Sequence, residues 1–467
     1  MAKRKKNNKP RIIFSLIFLV LSIIFIGLLF ILNIFPSIYM IGIAIILVVI
    51  NIGIILLMLQ KKGIIGILLA IPLMLIYLVG SIYLLSTIIF FNGFGREIVE
   101  YNYKVLVLKN SKYNSNKDLK DKVVYLYADS DENVAKINKK VKYQVKQSDD
   151  FDYLLNELDG KKIDAILIEN GYLDMLVEED SNFLNDYKII DKVKVNKIIH
   201  NSRKGDITKK PFNVLITGID TTGKVSGVAR SDVNILVSVN PKTHDMLLTS
   251  IPRDYYVEIK PGKTKDKLTH SGIYGVDTTM YAVSKLLDTD IDYYIKVNFT
   301  SLVDIVDTLG GIEVMSDTNF TSGVYEYNEK RFTFKEGKNK VNGKQALAFA
   351  RERKSFYDGD RRRNMHQQEV IKGILNKAIE PQTIVKYNSL LSTLSNSFIT
   401  NMDSDDIKKL IKKQVKNNKK WTITNSYLTG NDSYQVTYSY KSKLYVMEPD
   451  LDSVKEAQNK IKVFFEK

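Results

Sequence analysis

Three uninterrupted apolar stretches, Ile12–Phe35, Ile38–Leu59 and Gly63–Phe91, fill most of the first 91 residues of this 467-residue chain. None contains a charged side chain. Each is as long as the roughly 20 residues a helix needs to cross a hydrocarbon core. A soluble core seldom supplies three such runs in succession, so the stretches read as membrane spans. Lys3, Arg4, Lys5, Lys6, Lys9 and Arg11 precede the first span, and Lys61 and Lys62 separate the second from the third. By the excess of positive charge, the N-terminus and the second connection face the cytoplasm, which puts everything after the third span outside. Two further spans and the lack of a small-residue cleavage pattern argue that the first is retained rather than removed as a signal peptide.

The formal net charge is +16, and eight of those charges belong to the cytoplasmic flanks. The rest of the chain keeps about +8, because no acid precedes Glu97. In an exported domain that excess meets anionic lipid, wall polymer or diphosphate, and no nucleic acid is expected as a partner. No helix-turn-helix or RNA-binding motif appears either. The chain has no cysteine, which excludes disulfides, thiol catalysis and Cys-ligated zinc. Its four histidines do not form an H-E-x-x-H motif, against a zinc hydrolase.

Three regions follow: residues 1–95, the basic N-terminus and spans; 100–205, a small α/β accessory unit; and 207–467, the main domain. In the accessory unit Tyr103–Leu108, Val123–Tyr127 and Ile163–Glu169 read as strands and Asp149–Leu158 as a helix. No residue set there carries recognisable chemistry, so it reads as a spacer or packing module, joined through the polar stretch His200–Lys210. In the main domain, Ser271–Leu287, Ser301–Leu309, Asn342–Arg351, Gln367–Ile379, Asp403–Val415 and Asp452–Phe465 read as helices. Ile291–Asn298, Thr422–Tyr427 and Tyr434–Tyr440 read as strands. The fold class is therefore α/β: three transmembrane helices, a small α/β unit, and a central mixed sheet flanked by helices.

The segment Asn213–Asp254 carries the chemistry. It contains three β-branched, apolar runs, Val214–Ile219, Val233–Val239 and Met246–Ile251, separated by Gly-containing and Asn-Pro breaks. If consecutive runs pair antiparallel, the first ends at Asp220 and the second begins at Asp232, after Arg230. The third returns to the same edge with Arg253 and Asp254. Carboxylates hold a hard divalent cation and guanidiniums hold phosphate oxygens, so this edge suggests a metal-assisted diphosphate site.

A second run, ALAFARERKSFYDGDRRRNMHQQ from Ala346 to Gln368, supplies more guanidinium. Arg351 and Arg353 would diverge by roughly 200° on a helix but share a face on an extended segment. For both to grip one ligand, the helix has to end near Arg351. Arg361, Arg362 and Arg363 follow a turn around Gly359, with Gln367 and Gln368 one helical turn on. Pairing this run with the acidic edge favours anion binding over a merely solvated basic face.

GIDTTGKVSGVARSD, TSIPRD, DKLTHSGIYG, NFTSLVDIVDTLGGIEV and VNGKQALAFARERK, in that order, resemble the LytR-CpsA-Psr family. Three N-terminal spans and an accessory unit look like its capsule-linked branch. The resemblance implies a phosphotransferase at the outer face of the cytoplasmic membrane of Gram-positive bacteria. Such proteins move a glycopolymer, of capsular polysaccharide or wall teichoic acid type, from an undecaprenyl-diphosphate carrier to peptidoglycan through a phosphodiester. By motif match it implies Asp220 and Asp232 as ligands of Mg²⁺ (Mn²⁺ as an alternative). It further implies Arg230, Arg253, Arg351, Arg353, Arg363 and Gln367 as diphosphate-binding residues, and a lipid tunnel between sheet and helices. Arg253, Asp220 and Asp232 are the expected catalytic residues. Thr221 and Thr222 stand where many relatives have an arginine, His366 where others have one before two glutamines, and Arg362 competes with Arg363 for the site. Alternative readings are a lipid-diphosphate hydrolase using the same site and a non-catalytic membrane regulator of transcriptional-attenuator type.

Overall fold

The computed structural model describes residues 9–60, 63–92, 97–127, 131–148, 150–199, 206–220, 225, 228–262, 264–324, 330–357, 359–380, 397–417, 419–440 and 443–467. Lys9–Leu32, Ser37–Leu59 and Ile64–Asn92 are helices long and apolar enough to cross a membrane. They pack through an aromatic and sulfur-lined seam of Phe18, Met58 and Tyr77, with Tyr77 donating to Asn51 at 2.7 Å.

The accessory unit is a five-stranded mixed sheet in the order Gln144–Ser148, Val123–Tyr127, Ile166–Glu169, Glu97–Leu108, Tyr187–Ile199. One face buries Val105, Leu126 and Leu167 under the helix Asp131–Asn138. The other buries Leu106, Ile166 and Ile168 under Phe151–Asp159 and Asn170–Glu179. The latter core also takes in Ile273, and Tyr274 and Tyr440 pack against it, so the two folded units share apolar packing. Tyr172 donates to the Ser439 carbonyl at 2.6 Å across the same junction.

The main sheet has six strands in the order Ile399–Thr400, Tyr293–Asn298, Phe212–Ile219, Val233–Asn240, Asp245–Ile251, Thr422–Tyr427. The consecutive strands from 212 to 251 pair antiparallel, as the runs of the sequence indicate. Tyr293–Asn298 and Thr422–Tyr427 join parallel to Phe212–Ile219 and Asp245–Ile251, making the sheet mixed. Leu215, Leu236, Leu247 and Tyr294 face the helices Val276–Leu287 and Leu451–Glu466. The alternate residues Val214, Ile235, Val237 and Leu248 face the opposite way, toward Ile371, Ile407 and Leu410. Burial on both faces explains why these strands read as apolar runs rather than alternating ones.

The larger differences from the sequence reading in the main domain are at three elements. The helix expected at Gln367–Ile379 spans Gly359–Ala378, so the triple arginine lies in its first turns. The helix expected from Ser271 begins at Val276, after Gly275 takes a φ of 101° that ends the preceding short turns. The strand expected at Tyr434–Tyr440 is Gly430–Val436, paired with Lys443–Pro449. It stops there because the Ser439 backbone N–H is committed to the buried Asp266 carboxylate at 2.7 Å.

Helix Gly343–Arg351 is fixed against Gly359–Ala378 by His366, which is buried. Its ring stacks on Phe349 with centroids 4.1 Å apart, and Nδ1 lies 3.0 Å from the Phe349 carbonyl. Burial pushes the His366 pKa down to about 4, against the opposing effect of that carbonyl. The unfolded imidazole takes up a proton first as pH falls. His366 therefore leaves stability intact above roughly pH 6.5 and lowers it between there and about pH 4, by up to roughly 3 kcal/mol. In thermal melts of the full chain at stepped pH, His366→Phe is expected to show a smaller loss than the parent over that window; an identical loss would assign the acid sensitivity elsewhere.

Candidate functional site

Register brings the expected acids and arginines together. Gly218 pairs with Val233 and Asn234 with Ile251, so Asp220, Asp232 and Arg253 emerge at one sheet edge. The Asp232 backbone N–H donates to the Gly218 carbonyl at 2.8 Å, extending the ladder to this candidate residue. Arg253 donates to Asp232 Oδ1 at 2.7 Å, and the Thr269 hydroxyl donates to the same oxygen at 3.1 Å. Asp232 Oδ2 is buried and, among the described residues, has no hydrogen-bond partner. Burial pushes the Asp232 carboxyl up, but Arg230, Arg253 and Thr269 together outweigh it and hold the group below its ordinary value. The carboxylate is thus ionised, with one oxygen engaged and the other without a hydrogen-bond partner among the described residues.

The second run closes the other wall. Asn342 caps its helix, accepting from the Gln345 N–H at 3.0 Å while Gln345 returns a bond of 3.0 Å. Gly343 lets that helix approach Phe299–Thr308; a Cβ there would lie 2.4 Å from the Val303 carbonyl oxygen. The helix ends at Arg351, and Glu352 is extended, with φ −66° and ψ 126°. Glu352 is fully buried and accepts from the Gly323 and Ser355 N–H groups at 2.6 and 2.9 Å. Pinning Glu352 inward presents Arg351 and Arg353 together, and both line one cavity. Arg351 reaches Asp220 at 3.5 Å and lies over the Phe299 ring at 4.2 Å.

That cavity, of about 550 Å³, receives every expected site residue: Asp220, Asp232, Arg230, Arg253, Arg351, Arg353, Arg363 and Gln367. The structure also separates neighbouring candidates. Arg362 pairs with Asp317 and lies over Phe356, away from the cavity, whereas Arg363 lines it. Gln368 is buried and donates to the Leu248 and Ser426 carbonyls at 3.2 and 2.9 Å, a tie between helix and sheet. Asp254 lies 3.4 Å from Arg253 Nε as its structural partner. His270 is buried, 2.7 Å from Asp266, within packing rather than in the cavity. Thr221 and Thr222 lie outside the described residues.

Behind the charged mouth the lining turns apolar. Ile216, Ile295 and Val297 come from the sheet, Leu302 and Ile305 from one helix, and Leu347, Val370, Ile371, Ile374 and Leu375 from two others. These residues were not assignable from the sequence, because which face of a both-sides-buried strand meets a void depends on helix placement. The sequence reading also missed Glu178. This accessory-unit residue pairs with Arg230 and lines the cavity. Gly171 of the accessory unit seats the same junction: a Cβ there would come within 3.2 Å of the Ala229 Cα, beside Arg230. A larger cleft, about 830 Å³ around Gly310–Glu313 and Lys372–Lys377, has balanced lysines and glutamates and none of the site residues.

The site contains six cationic side chains (the five arginines and Lys354) against three carboxylates, Asp220, Asp232 and Glu178. An excess of guanidinium at the mouth of an apolar cavity suits an amphiphile with an anionic head. The unengaged, buried Asp232 oxygen near a second acid fits a hard cation with oxygen ligands.

Comparison with known proteins places the chain in a family. The LytR_cpsA_psr family profile matches residues 177–460. The polyisoprenyl-teichoic acid–peptidoglycan teichoic acid transferase TagU of Bacillus licheniformis is 38% identical over 219 residues, covering 46% of this chain and 69% of that protein. TagU of Bacillus subtilis has the same identity and coverage. The crystal structure of B. subtilis TagU aligns at 33% identity with a TM-score of 0.43, over 56% of this chain and 98% of that one. With the profile spanning more than half of its length, the chain belongs to the LytR_cpsA_psr family and is an enzyme of the transferase class.

Proposed function

We propose that this protein transfers a glycopolymer from a polyprenyl-diphosphate carrier to peptidoglycan, forming a phosphodiester, with its folded units on the outer side of the membrane. The observation that carries this reading is the junction of an arginine-rich mouth with an apolar cavity, which matches a diphosphate joined to a polyprenyl chain. The names of the TagU relatives support teichoic acid as the glycopolymer class; the accessory unit and three spans keep capsular polysaccharide in the same reading.

In the proposed reaction an acceptor sugar hydroxyl attacks the phosphorus that carries the glycopolymer. The new P–O bond forms as the bond to the polyprenyl phosphate breaks, and the hydroxyl proton passes to a carboxylate. Asp220, the more exposed of the two acids, is the better acceptor, since Asp232 is held ionised and weakly basic by its arginines. Phosphoryl transfer asks chiefly for positioning and for neutralisation of spreading charge, which the guanidiniums provide. Arg253 and Arg363 also line a smaller pocket of about 210 Å³ with Ser250, Asp254, Asn364 and Tyr427. Of these two, Arg253 bonds directly to Asp232, which supports it as the residue nearest the transferred phosphorus. A bound Mg²⁺ or Mn²⁺, held by Asp232 Oδ2 and Asp220, would neutralise diphosphate oxygens and the leaving group.

Arg253→Ala is expected to lower polymer transfer by roughly 10²–10³-fold while the circular dichroism spectrum stays that of the parent. Undiminished linkage of polymer to peptidoglycan in a purified reaction would remove Arg253 from the mechanism. The same assay separates the alternatives: a hydrolase releases free polymer phosphate without linkage, and a non-catalytic regulator gives neither. For the apolar cavity, Leu347→Trp places an indole in the void. Transfer from an undecaprenyl-length donor should fall roughly tenfold or more while a two-isoprene donor is largely spared. Equal losses with both donors would mean that the chain does not lie there.

A further inference from the structure

The helix Ser404–Asn417 lies against the ends of the membrane spans. Ile407 and Ile411 pack with Leu32, Ile34 and Phe91, the residues at which the first and third spans end. Lys412 Nζ donates to Asn33 Oδ1 at 2.8 Å, and Lys408 Nζ sits 5.4 Å from the centre of the Phe91 ring. Asn33 directly follows the first span, so its partner Lys412 is held where hydrocarbon gives way to headgroups.

Charge on this helix is arranged for that position. Lys408, Lys412 and Lys416 are spaced by four and form one stripe along the helix. Lys416 is exposed, as are Lys419 and Lys420 just beyond the helix end. Two further lysines have partners within the protein: Lys409, itself exposed, with Asp406 at 2.9 Å, and Lys413 with the Thr208 carbonyl at 2.5 Å. Asp405, 3.7 Å from Lys408, offsets the stripe only at its first member. The stripe thus runs from the span ends outward, apolar residues beside it facing the protein.

We propose that Lys408, Lys412, Lys416, Lys419 and Lys420 form a docking surface for anionic phospholipid headgroups of the leaflet on which the folded units sit. The occupant follows from charge complementarity and from continuity with the spans, since a stripe fixed to Asn33 and Phe91 lies in the headgroup layer. Docking also deepens the proposed function, and in this respect rests on it. Ile371 lines the apolar cavity and also packs in the core that includes Ile407 and Leu410. The docked helix therefore holds the apolar side of the cavity near the bilayer from which a polyprenyl chain would enter.

The test uses the full chain in nanodiscs, one set phosphatidylcholine alone and one containing phosphatidylglycerol, with amide hydrogen exchange read over residues 404–417. Phosphatidylglycerol is expected to slow exchange roughly tenfold, and about 0.5 M salt should abolish most of the difference. The combined variant Lys412→Glu, Lys416→Glu, Lys420→Glu should show no lipid difference while its remaining segments exchange as in the parent. Equal exchange of the parent in both lipids overturns the proposal. So does equal protection by soluble poly(glycerol phosphate) in phosphatidylcholine discs, which would assign the surface to an anionic polymer. The readout needs no donor, so failed transfer with intact lipid protection would count against the transferase reading alone.

Discussion

Asp232 and Arg253 meet at 2.7 Å because three consecutive strands pair in one antiparallel register, and the rest of the site is arranged around that contact. A one-residue slip in either pairing would turn one of the two to the opposite face. The contact is also electrostatically demanding. A buried carboxylate with one engaged oxygen is tolerated only where cations surround it, and Arg230 and Arg253 do so. The same crowding of guanidiniums leaves the mouth with a positive excess that an anionic ligand would relieve. Fold and chemistry are therefore one problem here: the register that makes the sheet also gathers the residues of the candidate site.

Much of this was legible in the sequence. The antiparallel runs put Asp220, Asp232 and Arg253 at one edge, and the two-residue spacing of Arg351 and Arg353 required a helix end that Glu352 supplies by burying its carboxylate. Both inferences rest on local periodicity, which a sequence displays directly. Less legible were features set by packing between distant elements. Arg362 and Arg363 are adjacent on a helix, and only the location of Asp317 decides which of them turns away. The apolar lining depends on which helices cover the sheet and how closely, as the Gly343–Val303 approach shows. Glu178 was invisible for another reason: it lies in a unit with no chemical motif, and its role comes from docking that unit beside Arg230.

The cavity and the spans belong to a single design. An amphiphile drawn from a bilayer has to keep its chain out of water while its head reaches a polar site. Here the apolar lining and the span-facing helix Ser404–Asn417 share the packing around Ile371 and Ile407, so the apolar cavity and the spans are adjacent. The accessory unit meets the charged end through Glu178, and outside the cavity its Glu179 pairs with Lys267 at 3.3 Å.

The last strand of the sheet, Thr422–Tyr427, pairs with Asp245–Ile251 across some of the longest sequence separations in the molecule. Gln368, next to Gln367 of the cavity wall, is tied by its side chain to both of these strands at once. Contacts between remote segments form late, because the intervening loop must first be closed. As the chain emerges residue by residue, the arginine wall thus acquires its final anchorage only after the tail has arrived. A polypeptide that has not yet reached Thr422 lacks the edge strand to which Gln368 is tied.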